Sequence, residues 1–398
     1  MSIQISRRGF LKATAASTAS LVIGFNSKGL IAAGREQAVL NPFVRIDSSG
    51  VVTVIVKHFE MGQGTTTGLT TLIADEMDAD WASVKTEFAP SDNEKYKNLF
   101  FGSQGTGGST AMANSYMQYR KAGATARDLL VRAAAQTWGV DEESIIIENG
   151  VMRSGSHTAG FGSFIEIATN LEPVAEPMLK SAEDFKLIGK LKLPRKDSYA
   201  KTNGTATFAM DVQLPGMVYA VILRSPKFGG TVISFDDGEA KKVDGFISAK
   251  ALPNKAGVAV YGKNTWAALQ SRKAIKAEWD FSKAETRSND EMIQQHRELI
   301  KKPQYQAAKG NTTDSVQAVM ASAGKTIEAE FTFPFLAHAP MEPLVCVIEP
   351  TEKGVRLHDG CQFPALAHGA LAQILGLQPE QVEINTVYAG GSFGRRAT

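Results

Sequence analysis

The chain has 398 residues, of which 43% are hydrophobic and 21% are charged, and its formal net charge is +2. This length and composition are typical of a globular protein of two or three domains, and the small net charge argues against a nucleic-acid partner. Only Cys346 and Cys361 are present, and they form no Cys-x-x-Cys pair, so a cysteine-ligated zinc or iron–sulfur site within this chain is excluded. A disulfide between them after export stays open, because bridge geometry cannot be read from a sequence.

Residues 1–34 have the pattern of an export signal. Arg7 and Arg8 stand in the segment SRRGFLK, which is followed by a weakly apolar run over residues 13–25 and by Ala-Ala-Gly at 32–34. An arginine pair before a short apolar region is typical of a twin-arginine signal, and a basic helix start is the alternative interpretation. We therefore predict a periplasmic protein, soluble or tethered to the membrane by an uncleaved signal. Because this route exports folded proteins, it favours a tightly bound cofactor.

The region after the signal is predicted to mix strands and helices. Residues 51–59 alternate as a strand does, and apolar residues recur at helical spacing over 69–77. Residues 111–138 form a long alanine-rich helix candidate. Residues 144–147, followed by Asn149-Gly150, indicate a strand that enters a tight hairpin turn.

The middle of the chain begins with a predicted linker. Residues 173–201 are rich in lysine and proline and show little periodicity, so we interpret them as a connection between domains. Over 205–224, two strand-like runs flank Leu-Pro-Gly at 214–216, which predicts a hairpin. Helices are predicted over 264–276 and 289–302.

Strand patterns return from residue 325 and end in a strand over 382–387. A glycine turn follows at once, and the sequence stops at Thr398. A domain that ended there would leave a sheet edge uncovered, so we expect the chain to be incomplete at its C terminus.

Three glycine-rich turns carry the candidate chemistry, because glycine lets backbone N–H groups approach a phosphate or a pterin. The first glycine turn, residues 61–65 (MGQGT), precedes a helix whose N terminus supplies unpaired donors. The second, residues 105–110 (GTGGST), also opens a helix, and Ser109 and Thr110 act either as plain N-caps or as oxygen donors to a ligand. The third, residues 390–396 (GGSFGRR), ends in two arginines that suit phosphate or oxo groups.

Together with other segments, these turns resemble a known family. The segments are the strand and helix around MGQG, Gly189 with Arg195 and Asp197, DVQLPGMVYAVILRSP (211–226), FLAHAPMEP (335–343), Gln362 and GGSFGRR. In this order they resemble the large subunit of the molybdenum hydroxylases, the xanthine dehydrogenase and aldehyde oxidase family. The isoquinoline 1-oxidoreductase beta-subunit type carries a GQG lobe ahead of its hammerhead domain, as this sequence does.

The resemblance implies an α+β, multi-domain fold in which molybdopterin-binding lobes flank an α/β-hammerhead domain. The implied boundaries are a signal peptide at 1–34, an N-terminal molybdopterin-binding-like lobe at 38–180, the hammerhead domain at 186–285, and the start of the first molybdopterin-binding domain at 290–398.

The resemblance also implies the roles of individual residues. Gln362 would approach the molybdenum oxo ligand, where an amide donates without adding charge. The turn beside the metal would comprise Gly391, Phe393, Gly394 and Arg395. The segments against the pterin or its nucleotide would comprise Gln63, Gly64, Thr65, Gly107, Gly108, Ser109 and Thr110. No protein ligand to the metal is expected.

Three further residues are interpreted as structural. We expect His338 to be a buried histidine with satisfied hydrogen bonds and Glu342 to brace a turn, rather than either being catalytic. Cys361, which precedes Gln362, is expected to be a small packing residue.

The implied cofactor is molybdopterin cytosine dinucleotide with molybdenum. The implied chemistry is hydroxylation of an N-heterocycle, or oxidation of an aldehyde, with oxygen derived from water. Electrons would pass to a small subunit with two [2Fe-2S] clusters and then to a c-type cytochrome. The family's general-base glutamate lies far toward the C terminus, beyond Thr398, so no catalytic residue is assigned. Two alternatives stay open: a non-catalytic scaffold or remnant, and a binding protein for a phosphate ligand that uses the glycine turns alone.

Overall fold

The computed structural model describes residues 21–26, 29–31, 42–190, 192–302, 310 and 312–397. The chain divides into two compact units: a first unit, Met1–Val212 with His338–Thr398, and a second unit, Gln213–Ala337. The predicted signal arginines, Arg7 and Arg8, lie outside the described residues. In the described part of the chain, no helix is both long enough and apolar enough to cross a membrane.

The N-terminal part of the first unit is built on a five-stranded mixed sheet of order β2-β1-β3-β4-β5, and a three-stranded antiparallel sheet, β6-β7-β8, follows it. The strands are β1 (Leu21–Asn26), β2 (Gly29–Ile31), β3 (Pro42–Ile46), β4 (Val52–Val56), β5 (Lys85–Phe88), β6 (Ile146–Glu148), β7 (Val151–Ser154) and β8 (His157–Gly160). The helices are α1 (Thr65–Met77), α2 (Asn93–Tyr96), α3 (Ala111–Trp138), α4 (Ile165–Ala168) and α5 (Ser198–Asn203).

Sequence periodicity located β4, α1, α3 and the β6–β7 hairpin among these elements. Every residue of β4 is buried, and β4 pairs in parallel with β5 after α1 crosses between them. The predicted long helix is confirmed as α3, which has 28 residues. The predicted hairpin is also confirmed, because β6 and β7 pair around Asn149 and Gly150, both at positive φ.

The predicted linker at 173–201 is bound to the first unit. The Asp75 carboxylate accepts the backbone N–H groups of Lys186, Leu187 and Ile188 at 2.8–3.0 Å. Glu76, on the same helix, accepts the backbone N–H of Lys180 at 3.0 Å. The linker interpretation was therefore wrong, because two buried carboxylates of α1 hold this segment. The division of the chain falls instead between Val212 and Gln213.

The second unit holds a three-stranded antiparallel sheet of order β11-β12-β9 and an antiparallel pair, β10 with β13. Helix α6 packs on β9 and β12 over a small core that includes Val232, Val258 and Ile275. The elements are β9 (Tyr219–Arg224), β10 (Thr231–Asp236), β11 (Phe246–Ala251), β12 (Gly257–Gly262), α6 (Thr265–Ala274), β13 (Lys276–Asp280), α7 (Asn289–Ile300) and α8 (Thr313–Ser322).

Two strand predictions fail in this region. The hairpin predicted over 205–224 does not form, because β9 pairs with β12 and the run before Leu214 contains only a short 3-10 helix, Ala209–Asp211. The strand patterns predicted from residue 325 onward form strands only from Cys346, so their predicted start is too early. Over 323–337 the described chain forms neither helix nor strand and is exposed, and it runs beside α7, where Arg297 contacts Glu330 at 2.7 Å. An alternating pattern becomes a strand only where a partner backbone lies beside it.

The C-terminal part of the first unit forms a further sheet of order β14-β15-β16. Its elements are β14 (Cys346–Pro350), β15 (Val355–Asp359), α9 (Pro364–Leu375) and β16 (Val382–Thr386). Strands β15 and β16 are parallel, and α9 connects them over a core that includes Leu357 and Ile384. The predicted strand at 382–387 is thus confirmed.

Helix α3 approaches α1 closely at Gly123, where a Cβ atom would lie 2.9 Å from both the Glu76 Cβ and the Ile73 carbonyl oxygen. We expect Gly123→Ala to lower the free energy of unfolding by about 1–3 kcal/mol, because α3 must shift away from α1. The matched control is Gly369→Ala in α9, where an added Cβ meets nothing within 4 Å. That change should raise stability by about 0.5–1 kcal/mol. Denaturant unfolding measures the stability of both variants. Equal changes in stability would contradict the close approach of α3 to α1 at Gly123.

Candidate functional site

The candidate site residues lie at the carboxyl ends of parallel strands in the first unit. The first glycine turn follows β4, Gln362 follows β15, and the third glycine turn follows β16. In open α/β sheets, ligands bind in the crevice outside the carboxyl ends of the strands. The second glycine turn completes the set, because it leads directly into α3.

The first glycine turn is organised by Glu60, a fully buried carboxylate immediately before it. One carboxylate oxygen accepts the N–H groups of Gly62 and Gly64 at 2.8 and 3.0 Å. The other accepts the N–H and the hydroxyl of Thr66 at 3.0 and 2.7 Å. An anion at a helix N terminus is stabilised by these donors and by the helix dipole. Glu60 therefore occupies the position that the sequence analysis left to a ligand, and the interpretation of these donors as unpaired was wrong.

The negative charge of Glu60 is balanced by the positive charge of Arg195. Arg195 contacts Glu60 at 3.3 Å and the carbonyl oxygen of Gly62 at 3.0 Å, and it forms a two-pronged pair with Asp197. Burial raises the pKa of the Glu60 carboxyl, but the hydrogen bonds from Thr66, Gly64 and Gly62 outweigh it, and the net pKa lies below its ordinary value. Glu60 is consequently an anion at neutral pH.

The other predicted residues of the first glycine turn are used partly within it. The exposed Gln63 amide accepts from the N–H of Met61 and donates to the carbonyl oxygen of Phe59. The buried Thr65 hydroxyl donates to the same carbonyl oxygen at 3.1 Å. These bonds fix the shape of the turn. Contact of Gln63, Gly64 and Thr65 with a cofactor stays a prediction.

The second glycine turn presents its backbone to solvent. Gly108 and Ser109 are exposed and have φ values of 57° and 55°, and Thr110 follows in the right-handed region. A left-handed residue before a right-handed one turns successive N–H groups toward the same side. In this turn the Thr110 N–H donates to the Gly107 carbonyl oxygen at 3.1 Å. Thr110 is the N-cap residue, but its hydroxyl donates to the Gly107 carbonyl oxygen and makes no capping bond. The plain side-chain cap considered for Thr110 is therefore wrong.

The third glycine turn separates the two arginines that the sequence analysis treated alike. Arg395 is exposed, whereas Arg396 is buried against Glu342, with a nitrogen–oxygen distance of 2.9 Å. Glu342 also accepts the N–H of Gly390 at 2.8 Å, so the prediction that it braces a turn is confirmed. His338, predicted to be buried, is exposed. Phe393 is 74% exposed and holds a φ of 55°, a conformation that costs a non-glycine residue energy and that often marks functional turns.

Thr106 and Gln362 connect the three turns. The Thr106 hydroxyl accepts the N–H of Phe59, just before the first glycine turn, at 2.8 Å. The Gln362 amide donates to the Thr106 carbonyl oxygen at 2.8 Å and accepts from the Ser392 hydroxyl in the third glycine turn. The carbonyl oxygen of Glu60 also accepts the N–H of Ala389, at 3.4 Å. The structure thus brings together segments that are far apart in the sequence, because Glu60 and Ala389 differ by 329 positions.

Behind the second glycine turn lies a buried polar cluster that the sequence analysis missed. The Lys57 ammonium group is bound by three neutral oxygens, from Lys97 (backbone), Asn114 and Gln118, at 2.6–3.2 Å. The His58 ring lies within hydrogen-bond distance of Thr106 and Ser115. Burial lowers the pKa of Lys57 to about 7 and that of His58 to about 3. His58 is therefore neutral at physiological pH.

The shifted pKa of Lys57 predicts a pH-dependent stability. Because the folded chain disfavours the ammonium form, stability rises as the pH increases from about 7 to about 10, the unfolded value, by at most about 1.4 kcal/mol per pH unit. Lys57→Met removes this rise, whereas Lys85→Met at an exposed position should keep it. Denaturant unfolding across that range tests the prediction, and parallel curves for the wild type and Lys57→Met would contradict it.

Two further titratable groups lie beside the third glycine turn. Burial raises the pKa of Asp359 to about 6, and burial, with the nearby Asp359, raises the pKa of the Cys361 thiol to about 11. The half-buried Cys361 sulfur contacts the N–H of Phe363 and the carbonyl oxygen of Arg396. It is a protonated packing residue, as predicted. Both cysteines are free thiols.

Two family models match the sequence, and each describes a molybdopterin cofactor-binding domain. One covers residues 7–215 and the other covers residues 295–398. The chain belongs to the molybdenum hydroxylase large-subunit family. The match to residues 7–215 includes the first two glycine turns, and the match to 295–398 includes Gln362 and the third.

The curated relatives of this chain are longer than it is. It is 30% identical to isoquinoline 1-oxidoreductase subunit beta of Brevundimonas diminuta, over 99% of this chain and 56% of that protein. It is 29% identical to a membrane-bound aldehyde dehydrogenase (pyrroloquinoline-quinone) of Gluconacetobacter polyoxogenes, over 88% of this chain and 46% of that protein. The solved structure of quinoline 2-oxidoreductase from Pseudomonas putida 86 matches 53% of this chain and 31% of its own, with 18% identity and a TM-score of 0.40. The chain thus spans about half the length of the curated relatives it matches.

The residues of the three turns fit an anionic pterin cofactor. A Cβ atom at Gly62 or Gly394 would meet nothing within 4 Å, so the outer side of both turns is open. The second glycine turn exposes the backbone of Gly108 and Ser109, Gln362 supplies a neutral amide, and Arg395 supplies an exposed positive charge. Neutral donors and a guanidinium group are suited to phosphate and to metal oxo groups.

Proposed function

We propose that this chain is the cofactor-binding portion of a molybdenum hydroxylase large subunit that holds its molybdenum as molybdopterin cytosine dinucleotide. The observation that carries the proposal is the connection of the three glycine turns through Thr106 and Gln362 at the carboxyl ends of parallel strands. A ligand that spans several turns would require their relative positions to be fixed in this way.

Each turn has a separate task in this proposal. The second glycine turn, from Gly107 to Thr110, and the outer side of the first turn, at Gln63 to Thr65, would lie against the pterin and its nucleotide. The third turn, with Gly391, Phe393, Gly394 and Arg395, would lie beside the metal end, and Gln362 would donate from its amide. When bound, the cofactor supplies a two-electron oxidation of the substrate carbon with oxygen derived from water.

The cofactor is tested on the full chain purified with its natural partners from its host. Metal analysis and acid release of the nucleotide should give stoichiometric molybdenum and cytidine monophosphate. Release of guanosine monophosphate would contradict only the cytosine nucleotide of the cofactor and would leave the rest of the proposal standing. A preparation that contained neither molybdenum nor pterin would overturn the proposal as a whole.

The proposed substrate class is based on the names of two relatives, an isoquinoline oxidoreductase and an aldehyde dehydrogenase. We propose N-heterocycles or aldehydes as substrates, with electrons passing to a small subunit with two [2Fe-2S] clusters and then to a c-type cytochrome. Turnover of isoquinoline, nicotinate and short aldehydes by the purified complex, with an artificial electron acceptor, distinguishes the two substrate classes. Co-purification of an iron–sulfur subunit and of haem tests the partners.

We further propose that residues 186–285 contain the hammerhead domain and that the protein is periplasmic. The strands and helix of the second unit, β9 to β13 with α6, support a separate α/β domain in this region. Replacement of both Arg7 and Arg8 by lysine should keep the protein in the cytoplasm if the twin-arginine signal operates. Unchanged export of that variant would contradict the proposed localisation.

A further inference from the structure

The side-chain amide of Gln362 is held at both ends. Gln362 is 4% exposed, its Nε2 donates to the carbonyl oxygen of Thr106 at 2.8 Å, and its Oε1 accepts from the Ser392 hydroxyl. The two partners come from different glycine turns. The amide therefore bridges the second and third turns.

The orientation of this amide is determined by what its partners can do. A carbonyl oxygen can only accept, so the nitrogen of Gln362 must face Thr106. The Ser392 hydroxyl oxygen already accepts the N–H of Arg396 at 3.1 Å, so its own hydrogen is available to the Gln362 oxygen. A flipped amide would place two acceptors against each other at Thr106. Ser392 and Thr106 thus select a single orientation.

Both partners are themselves fixed by the backbone. The Thr106 N–H donates to the Gln362 carbonyl oxygen at 2.7 Å, and the Gln362 N–H donates to the Arg396 carbonyl oxygen at 3.0 Å. Ser392 is 2% exposed. These bonds hold the backbone of all three segments, so the side-chain amide has little freedom to rotate.

We propose that Ser392 is a positioning residue that, acting through Gln362, presents a single amide hydrogen to the cofactor. An amide nitrogen carries two hydrogens, and Thr106 takes one of them, which leaves one Nε2–H for a ligand. The inference rests on the proposed function for the nature of that ligand. The orientation of the amide, however, is a property of the chain alone and can be tested separately.

The first test is the pH dependence of stability in Gln362→Glu. A glutamate here must be protonated to donate to the Thr106 carbonyl oxygen, so the pKa of the new carboxyl is raised in the folded chain. Its stability should therefore be close to that of the wild type below about pH 4.3, the unfolded value, and should fall as the pH rises. Gln136→Glu, at an exposed position in α3, is the matched control and should give a pH-independent difference.

Denaturant unfolding of both variants tests, without any cofactor, whether this buried position excludes a charged side chain, as an amide that donates to Thr106 requires. A stability difference that grows with pH only in Gln362→Glu supports the assigned amide. The same pH-independent difference in both variants would overturn it. Because this readout needs no metal, it stands even if the proposed function fails.

The second test is Ser392→Ala in the molybdenum-loaded complex. Removal of the donor to Oε1 should lower kcat by about 10- to 100-fold with little change in KM, as expected for a partner that orients a cofactor-contacting group. It should also shift the electron paramagnetic resonance signal of Mo(V). Ser392→Thr restores a hydroxyl and should recover both. Ser154→Ala, which removes a buried hydroxyl away from the turns, is the matched control.

The outcomes separate the two levels of the proposal. Absence of molybdenum from the wild type would overturn the proposed function. A normal molybdenum content, with Ser392→Ala matching Ser154→Ala in both spectrum and kcat, would overturn the positioning role. A shifted spectrum that Ser392→Thr restores supports it, because general destabilisation would not be reversed by a hydroxyl.

Discussion

Replacing Arg396 with alanine should lower the free energy of unfolding by about 3–5 kcal/mol, the usual cost of leaving one partner of a buried ion pair unpaired. Arg396 donates to the Glu342 carboxylate and to the Glu342 carbonyl oxygen, both at 2.9 Å, and to the Gly391 carbonyl oxygen at 2.8 Å. Its side chain is 2% exposed and that of Glu342 is 7% exposed. Without Arg396, the third glycine turn loses three hydrogen bonds, and the buried Glu342 carboxylate keeps the Gly390 N–H but loses its positively charged partner.

Arg395→Ala is the matched control, because it removes the same kind of side chain one position earlier. Arg395 is exposed, so this change should alter stability by no more than about 0.5 kcal/mol. If Arg395 contacts the cofactor as proposed, molybdenum retention should fall in this variant while stability stays unchanged. Denaturant unfolding and metal analysis of both variants make the comparison. Equal losses of stability in the two variants would contradict the assignment of a structural role to Arg396 and of a cofactor-binding role to Arg395.

A double variant tests whether the buried charge is the cause. Arg396→Met combined with Glu342→Leu removes both charges and should be less destabilised than Arg396→Met alone. A double variant at least as unstable as the single one would indicate that Arg396 acts through packing rather than through its charge.

Sequence patterns predicted the helices of this chain better than its sheets. Helix α3 was placed at its observed bounds, because a helix is set by hydrogen bonds and periodicity within one segment. Strand β9 was given a wrong partner, since its true partner, β12, follows two other strands in the chain. The linker prediction failed for a related reason. The lysine-rich composition of 173–201 can be read from the sequence. The carboxylates that bind the backbone of this segment, Asp75 and Glu76, lie on α1, about a hundred residues earlier in the chain.

The candidate site shows the same division. Glycine turns are local features, so all three were found from the sequence and all three lie at strand or helix ends in the first unit. The partners of each turn could not be predicted, because Thr106 and Gln362 meet across 256 positions. Glu60 left a weak local signal: a carboxylate stands immediately before a glycine turn that opens a helix. Recognition of that signal would have assigned the helix N terminus to the chain's own anion.

Glu60→Ala should lower the free energy of unfolding by about 1–3 kcal/mol, because it leaves the N–H groups of Gly62, Gly64 and Thr66 without their acceptor, while Arg195 keeps Asp197. The carboxylate accepts from Gly62, Gly64 and Thr66 and pairs with Arg195. Its loss should also loosen the first glycine turn and the start of α1. Glu143→Gln, at an exposed position, is a control that should change stability little.

The pH dependence of Glu60→Gln identifies the carboxylate charge as the source of this stability. The folded pKa of Glu60 is lowered, so its contribution is fully present above the unfolded value of about 4.3 and is lost as the pH falls through the folded pKa. The stability gap between the wild type and Glu60→Gln should therefore be widest near neutral pH and should narrow in acid. Denaturant unfolding at neutral and acidic pH measures it. A gap of constant width would mean that the turn depends on the shape of this side chain rather than on its charge.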